Sequence, residues 1–248
     1  MKNNRRQFVK NTLSTVLGVS IIPRNVMGKG FTAPSDRFNI GVIGLGAQSG
    51  GLIERISKIS DARIIAGCDI HQKRLNRFRK LINTEYIKYG IKGTALIYED
   101  FDKLIENSNI DGVVVSTPDH WHAIPSINAM KAGKHVYCEK PMSHTIQEGR
   151  AMEKTARKYN RILQTGSMQR SRADFRKACE LVRNGYIGKI EKVWVEVGNP
   201  SAPCNLPFQE TPDYLDWDRW LGPAPLRSYH NIIVEKDWFP NWRWYREF

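Results

Sequence analysis

Short apolar runs alternate with amphipathic stretches along the chain from residue 38 to residue 165. The apolar runs lie at 38–43, 62–68, 95–98, 111–116, 134–138 and 161–165. Spacing typical of helices predicts helices over about 49–58, 71–89, 100–107, 120–132 and 144–159. Continuous apolar runs between helices are typical of strands that are buried on both faces. The pattern therefore predicts an α/β fold with a doubly wound parallel sheet.

The pattern changes after Gly166. Spacing predicts one more helix over 172–184, and then apolar and polar residues alternate from Lys189 to Val197. Alternation predicts a strand in a sheet that has one lightly covered face. We therefore predict a first domain over 36–168 and an incomplete α+β domain over 169–248.

The first thirty-three residues predict an export signal rather than a folded element. Arg5 and Arg6 precede Phe8, and a mildly apolar run of eleven residues follows over 12–22. That run is too short for a membrane span but suits a signal peptide, and the paired arginines indicate the twin-arginine export machinery. We expect a periplasmic or otherwise exported protein, with 1–33 removed.

Composition and charge exclude other classes of protein. Apolar residues make up 41% and charged residues 25% of the 248 residues, as in ordinary globular proteins. The net charge is +13, but residues 1–30 hold six basic residues and no acidic one. The remaining +7 is scattered except for a cluster over 73–80, which is typical of a solvated helix face. We expect no nucleic-acid partner.

The segment Gly44-Leu45-Gly46-Ala47-Gln48 follows the first apolar run and predicts a dinucleotide site. Glycines there allow a tight turn and close approach of a pyrophosphate to the helix N-terminus. Asp69 ends the second run, 25 residues after Gly44. Its carboxylate would bind the ribose hydroxyls of NAD and repel the 2′-phosphate of NADP, whereas Arg74 would offset part of that repulsion. We predict a Rossmann domain that binds NAD, with NADP as the alternative.

Two further motifs follow the fourth and fifth main strands, at 116–122 and 139–141. Carboxyl ends of parallel strands share one edge of the sheet, so both motifs should lie beside the cofactor. His120 and His122 could form a metal pair, but a third ligand is not evident and no metal is predicted. Lys140 lies between an apolar strand and a proline, where burial would lower its pKa toward an acid/base role.

These motifs resemble the Gfo/Idh/MocA family, named after glucose–fructose oxidoreductase and inositol dehydrogenase. The resemblance rests on the glycine loop, Thr-Pro-x-x-x-His over 117–122, Glu-Lys-Pro over 139–141 and Tyr-Ile-Gly-Lys-Ile over 186–190. It covers about 38–248 and implies a nicotinamide cofactor with a sugar, inositol or polyol substrate. It also implies a mostly antiparallel C-terminal domain that supplies a substrate platform and often an oligomer interface, so we expect a homo-oligomer.

The resemblance also implies roles for individual residues. Lys140 would hydrogen-bond the reacting hydroxyl as the catalytic and substrate-binding residue, His122 would lie beside the nicotinamide, and Arg170 would face the substrate. Lys140–Pro141 is expected to be a cis bond. Together with the glycine-loop argument, the expected cofactor-binding residues are Gly44, Gly46, Ala47, Gln48, Asp69, Arg74, Thr117, Pro118, His122, Glu139 and Lys140.

A similarity to the exported subgroup of the family rests on Asp-His-Trp-His at 119–122 and on 216–223. Five of the seven tryptophans fall within 217–244. They predict either a platform for sugar C–H faces or ordinary core packing.

The family's downstream Asp and His, about four residues apart, are not found before Phe248. We therefore expect the chain to be part of a longer protein. Three functions stay open: a sugar or cyclitol oxidoreductase, a glycoside hydrolase that uses NAD without net redox change, and a cofactor-binding protein without catalysis.

Overall fold

Six parallel strands form one sheet in the order β3-β2-β1-β4-β5-β6. The computed structural model describes residues 36–89, 93–235 and 242–248. The chain runs outward from β1 to β3 and then returns to place β4 beside β1 at the centre of the sheet. This is the doubly wound order of a Rossmann fold, so the predicted fold is confirmed. The strands are β1 (Phe38–Ile43), β2 (Ala62–Cys68), β3 (Leu96–Tyr98), β4 (Gly112–Val115), β5 (His135–Cys138) and β6 (Leu163–Thr165).

Helices connect the strands and continue beyond them. The five helices within the sheet region begin and end within three residues of their predicted positions, and the helix predicted over 172–184 is also present. The helices are α1 (Ala47–Ile56), α2 (Gln72–Lys88), α3 (Phe101–Glu106), α4 (Ala123–Lys131), α5 (Ile146–Lys158), α6 (Ala173–Arg183), α7 (Trp217–Leu221) and α8 (Asn231–Val234). Short 3₁₀ turns cover Asp119–Trp121, Met168–Ser171 and Trp242–Trp244.

Local side chains explain where two of these helices begin. The Thr145 side chain accepts the Glu148 amide, and the Glu148 side chain accepts the Thr145 amide, which is a complete capping box before α5. Asp100 accepts the Asp102 amide and caps α3. The sequence thus sets these helix starts directly.

The sheet is buried on both faces, as its continuous apolar strands predict. Val113 and Val115 belong to a core cluster that includes Met130 of α4 and Met152 of α5. Val114, between them, belongs to a second cluster with helices α1 and α2 on the opposite face. Because side chains alternate along a strand, one apolar run supplies both cores.

A third apolar cluster is formed by the C-terminal part of the chain. It contains Leu215, Trp217, Trp220, Ile233 and other residues between 204 and 248, and Ile70 from the end of β2 packs against it. This cluster therefore joins the C-terminal segment to the edge of the sheet where the strands end.

The strand predicted over 189–197 does not form, and this prediction is wrong. Residues 189–200 carry no regular structure, and Trp194 and Val197 are 82% and 87% exposed. A strand needs a neighbour for its backbone groups, and the described residues supply none beside this segment. After β6 the β-pairing within the described ranges consists of two isolated bridges, His71 with Leu215 and Ala202 with Tyr245.

The remaining predictions about domains stay predictions. The division between 36–168 and 169–248 is one of them, and the export signal over 1–33 lies outside the described residues. Within the described part of the chain, no helix has the length and apolarity to cross a bilayer.

Candidate active site

A cleft of about 350 Å³ opens at the carboxyl ends of the central strands. Ile43 of β1, Cys68 of β2 and the turn after β4 contribute to its wall. Nine of the predicted cofactor residues line it: Gly44, Gly46, Ala47, Gln48, Asp69, Arg74, Thr117, Pro118 and Lys140. The structure therefore brings together residues that lie up to 96 positions apart in the sequence.

The glycine turn after β1 requires glycine at its first position. Gly44 has φ +85°, and a Cβ there would lie 2.6 Å from the Thr117 amide nitrogen. The Ser116 hydroxyl donates to the Gly44 carbonyl at 2.7 Å. The turn after β1 thus contacts the end of β4 directly, and this contact sets the floor of the cleft.

The second glycine, Gly46, precedes the first turn of helix α1 and lines the cleft. No side chain caps this helix at Gly46. A Cβ built at Gly46 would meet no atom of the described residues within 4 Å. An uncapped helix N-terminus with open space beside it suits the pyrophosphate of a dinucleotide, because the first amides point outward and carry partial positive charge.

Asp69 joins the glycine loop to the end of β2. Its carboxylate accepts the Leu45 amide at 2.7 Å and the His71 amide at 3.0 Å. Each carboxylate oxygen keeps further lone pairs, and the side chain lines the cleft. Asp69 therefore has acceptor capacity for ribose hydroxyls while it holds the loop in place.

Thr117 carries the clearest sign of a missing polar partner. Its Oγ1 is buried and has no hydrogen-bond partner among the described residues, and the residue lines the cleft. A buried hydroxyl without a partner is unfavourable, so Thr117 Oγ1 is available to bond a polar group of a ligand in the cleft. With the open helix N-terminus and Asp69, this residue fits a nicotinamide dinucleotide.

Glu139 forms part of the wall rather than the lining of the cleft. It is buried, and it accepts Gln48 Nε2 at 3.1 Å and the Tyr137 hydroxyl at 3.3 Å. Burial, and then the Glu139 charge, raises the pKa of Tyr137 to about 12, so Tyr137 stays a donor. Glu139 also accepts the Lys140 amide at 3.2 Å and thereby links α1 to the turn that presents Lys140.

His122 lies behind the cleft and connects two motif turns. Its Nδ1 is 2.6 Å from the Pro141 carbonyl and its Nε2 is 2.9 Å from the Thr117 carbonyl. The ring is 1% exposed and does not line the cleft. The Lys140–Pro141 bond is cis, as expected. In this structure His122 holds the two turns that carry Thr117 and Lys140.

Lys140 and Arg170 differ in position. Lys140 lines the cleft, but its residue is exposed, so the burial that the sequence argument assumed is absent. The reason is that the turn after β5 stands at the open mouth of the cleft. Arg170 lies in the 3₁₀ turn Met168–Ser171, is exposed, and does not line the cleft.

His120 and His122 do not face a common point. His120 Nε2 is 3.0 Å from the Trp220 carbonyl, and burial lowers the pKa of His120 to about 4. Both nitrogens of His122 contact carbonyls, as described above. Within the described ranges, no group of three His, Cys, Asp or Glu residues is placed to hold a metal.

Several cleft residues were missed by sequence reasoning. They come from the C-terminal segment: Arg219, Trp220, Val234, Trp242 and Arg243. The motif over 216–223 could have pointed to Arg219 and Trp220, but from the sequence it was interpreted only as a mark of the exported subgroup of the family. Trp217, Trp220 and Trp242 are buried, so packing accounts for them, although Trp220 and Trp242 also reach the cleft.

Asp119 is a partly buried acid of the Asp-His-Trp-His motif that was assigned no role from the sequence. Burial raises the pKa of Asp119, while His122, Arg243 and Lys140 act in the opposite direction. Burial also lowers the pKa of Arg243, and Asp119 and Glu139 oppose that change. Acidic and basic side chains therefore lie near one another at this end of the cleft.

A glycine turn, an uncapped helix N-terminus and an acid at the end of β2 define a nucleotide-binding Rossmann protein. A family profile described as "Oxidoreductase family, NAD-binding Rossmann fold" matches residues 38–167. That match spans more than half of the chain, so the chain belongs to the Gfo/Idh/MocA oxidoreductase family. The prediction of an NAD-binding Rossmann domain is confirmed, and the preference for NAD over NADP stays a prediction.

Individual relatives show the same likeness over part of their length. A myo-inositol 2-dehydrogenase of Thermotoga maritima is 34% identical over 164 residues, which is 66% of this chain and 46% of that protein. A glycosyl hydrolase family 109 protein of Solibacter usitatus is 34% identical over 59% of this chain and 35% of its own length. The chain thus spans less than half of each of these two relatives.

A solved structure agrees with the fold. The scyllo-inositol dehydrogenase of Lactobacillus casei, with bound NAD(H) and scyllo-inositol, superposes with a TM-score of 0.51 at 28% identity. The superposition covers 61% of this chain and 42% of that protein.

Proposed function

We propose that this chain carries the cofactor site and the substrate-orienting lysine of an NAD-dependent oxidoreductase that acts on a hydroxyl group of a sugar or cyclitol. The observation that carries the proposal is the position of Lys140. Its side chain lines the same cleft as the glycine turn, Asp69 and Thr117. A lysine beside a dinucleotide site is placed to hold the hydroxyl that is oxidised.

The residues of the chain divide the work by position. Bound NAD supplies a nicotinamide ring that accepts a hydride. The amides at the start of α1 bind the pyrophosphate, Asp69 binds ribose hydroxyls, and Thr117 Oγ1 bonds the part of the dinucleotide that lies over β4. Lys140 Nζ donates a hydrogen bond to the substrate hydroxyl oxygen and orients the hydroxyl at the open mouth of the cleft, where water can take its proton.

The charges at the mouth support an uncharged substrate. Lys140 and Arg243 line the cleft there, and the carboxylates of Asp119 and Glu139 lie close enough to act on the pKa of Arg243. Two formal positive charges and two formal negative charges cancel. A neutral polyol therefore fits this end of the cleft better than a substrate that carries a phosphate group or a free carboxylate. The inositol dehydrogenases among the relatives agree with this class.

A redox-neutral glycoside hydrolase is the second candidate. The glycosyl hydrolase family 109 relative, at 34% identity, favours it. In that reaction a sugar hydroxyl is oxidised, the aglycone is eliminated, water is added and the carbon is reduced again. The same Lys140 and the same cofactor cleft would serve both reactions, so products and not the site distinguish them.

The test uses the full-length protein that contains this chain, with NAD, a panel of cyclitols and a panel of aryl glycosides. Net NADH formation from a cyclitol supports the oxidoreductase, whereas release of free sugar without net NADH supports the hydrolase. Lys140→Ala should lower either turnover by about 100-fold or more, a larger factor than its effect on NAD affinity. Lys131→Ala, on an exposed helix end, is the matched control. Equal turnover of both variants would contradict the assignment of Lys140.

We also propose export by the twin-arginine machinery. The paired arginines, the short apolar run and the basic charge of 1–33 support it. Replacing Arg5 and Arg6 by lysine keeps the charge and should abolish export of a reporter fused after residue 33. Lys2→Arg is the control. Export of the double variant at the wild-type level would exclude this route.

A further inference from the structure

We propose that residues 214–235, here called the roof, cover the adenosine half of the cleft and retain bound NAD. Arg219 and Trp220 are then cofactor-contacting residues. This inference rests on the NAD-binding fold and on no feature of the reaction proposed above.

The sheet order identifies the half of the cleft that the roof covers. Strands β2 and β3 lie on one side of β1, and the ends of those strands receive the adenosine of a dinucleotide. Asp69 and Glu99, just after β2 and β3, line this half of the cleft. Arg219 and Val234 of the roof line the same cleft, and their contacts place them at this end.

Arg219 attaches the roof to the loop after β3. Its Nη2 is 2.9 Å from Asp100 Oδ2, and its Nη1 donates to the Glu99 carbonyl at 3.2 Å. One guanidinium therefore bonds two neighbouring residues of the loop and also faces the cleft. A planar cation at this place can lie against adenine or bond a ribose oxygen.

A second set of contacts attaches the roof to the segment after β2. The backbone amide of Gln72 donates to the Tyr214 carbonyl at 2.9 Å, and His71 forms an antiparallel bridge with Leu215. At the other end of the roof, Arg74 Nη2 donates to the Val234 carbonyl at 2.8 Å. Both ends of the roof are thus bonded to the strand end that carries Asp69.

The third attachment is to the segment after β4. The Trp220 carbonyl accepts Trp121 Nε1 at 2.9 Å and contacts His120 Nε2 at 3.0 Å. Gly222 packs so closely on Trp121 that a Cβ would lie 2.0 Å from the indole ring. Trp220 is 3% exposed and its ring stacks on Trp217 with centroids 5.0 Å apart, so where it lines the cleft it forms part of the fixed apolar wall.

Retention follows from these three attachments. A dinucleotide whose adenosine lies between the glycine turn and the roof leaves only when contacts to the loops after β2, β3 and β4 open. Weakening one attachment should therefore speed the release of ligands that carry adenosine. Ligands that occupy only the nicotinamide half should be unaffected.

The test compares Arg219→Ala with the control Arg176→Ala in the full chain. Arg176 forms an exposed pair with Glu180 in α6, away from the roof. Rates of NADH release are measured by stopped-flow displacement, and affinities for ADP-ribose and nicotinamide mononucleotide by calorimetry. For Arg219→Ala we expect NADH release to be faster and ADP-ribose binding weaker by about fivefold or more. Nicotinamide mononucleotide should bind as to the wild type.

Three outcomes would overturn the proposal. They are wild-type NADH release from Arg219→Ala, equal weakening of both half-ligands, and no binding of ADP-ribose to the wild-type chain. If Arg219→Ala does not fold by circular dichroism, Arg219→Lys keeps the charge, loses the double contact and should show a smaller change of the same kind. Since no sugar is present in these measurements, failure of the proposed reaction leaves this result unaffected.

Discussion

The motif side chains serve two different purposes at the scale of single residues. Thr117 and Lys140 line the cleft, whereas Glu139 and His122 hold the turns that present them. Residue type alone does not distinguish the two groups, because all four are polar and lie in the turns that follow β4 and β5. Hydrogen-bond partners distinguish them: the wall residues use their polar atoms on the protein, and Thr117 Oγ1 does not.

Thr117→Val tests that distinction. Removing a buried hydroxyl without a partner should raise the stability of the free chain by about 1 kcal/mol. The same change should weaken NAD binding by about tenfold, since one hydrogen bond to the dinucleotide is lost. Urea unfolding and calorimetry measure the two effects. Thr84→Val, on the exposed face of α2, is the control, and unchanged NAD affinity of Thr117→Val would rule out a contact to the cofactor.

His120 should make stability depend on pH. Its folded pKa of about 4 lies below the ordinary value near 6.5, because burial disfavours the charged ring. The unfolded chain then binds more protons between these pH values. The contribution of His120 therefore leaves the free energy of unfolding at its highest above about pH 6.5. This free energy falls by at most about 3 kcal/mol as the pH is lowered toward 4.

The variant His120→Gln isolates this effect. It should lose less stability than the wild type when pH is lowered from about 7 to about 4.5, measured by urea unfolding at each pH. Carboxylates titrate equally in both proteins, so the difference reports on His120. The exposed His144→Gln should behave as the wild type. Parallel pH profiles for all three proteins would show that His120 is not kept neutral by the fold.

At the scale of elements, local patterns predicted the sheet and its helices well. Strand β2 and strand β1 lie where their apolar runs predict, and α5 begins at its capping box. The strand expected over 189–197 failed because alternation describes one segment, whereas a strand exists only beside another. The sequence of the segment contains no information about whether that neighbour is present.

The glycine turn and α1 offer a paired test at this scale. Gly44→Ala should destabilise the chain by about 2 kcal/mol or more, because φ is +85° and the Cβ would strike the end of β4. Gly51→Ala, within α1 and exposed, should stabilise it by about 0.5–1 kcal/mol, since alanine favours helix. Urea unfolding compares them. A Gly44→Ala protein of wild-type stability would show that the turn adopts another conformation.

At the scale of the whole molecule, protection from solvent is uneven. All four residues of β4 are buried at the centre of the sheet. Residues 189–200, in contrast, are exposed and belong to no helix or strand. Hydrogen exchange at low protein concentration should therefore be slow in β4 and fast over 189–200. Protection of 189–200 that grows with protein concentration would instead indicate pairing with a second copy, and would support the expected homo-oligomer.

The sequence by itself determined the elements of the sheet, the order of the motifs and the need for glycine at position 44. These properties depend on residues close together in the chain: periodicity, caps and turns. The tertiary structure decided which motif residues reach the cleft, that Lys140 is exposed, and that Arg219 bonds a carbonyl 120 residues away. Such contacts join segments whose approach depends on the packing of the whole sheet, and no local pattern encodes that distance.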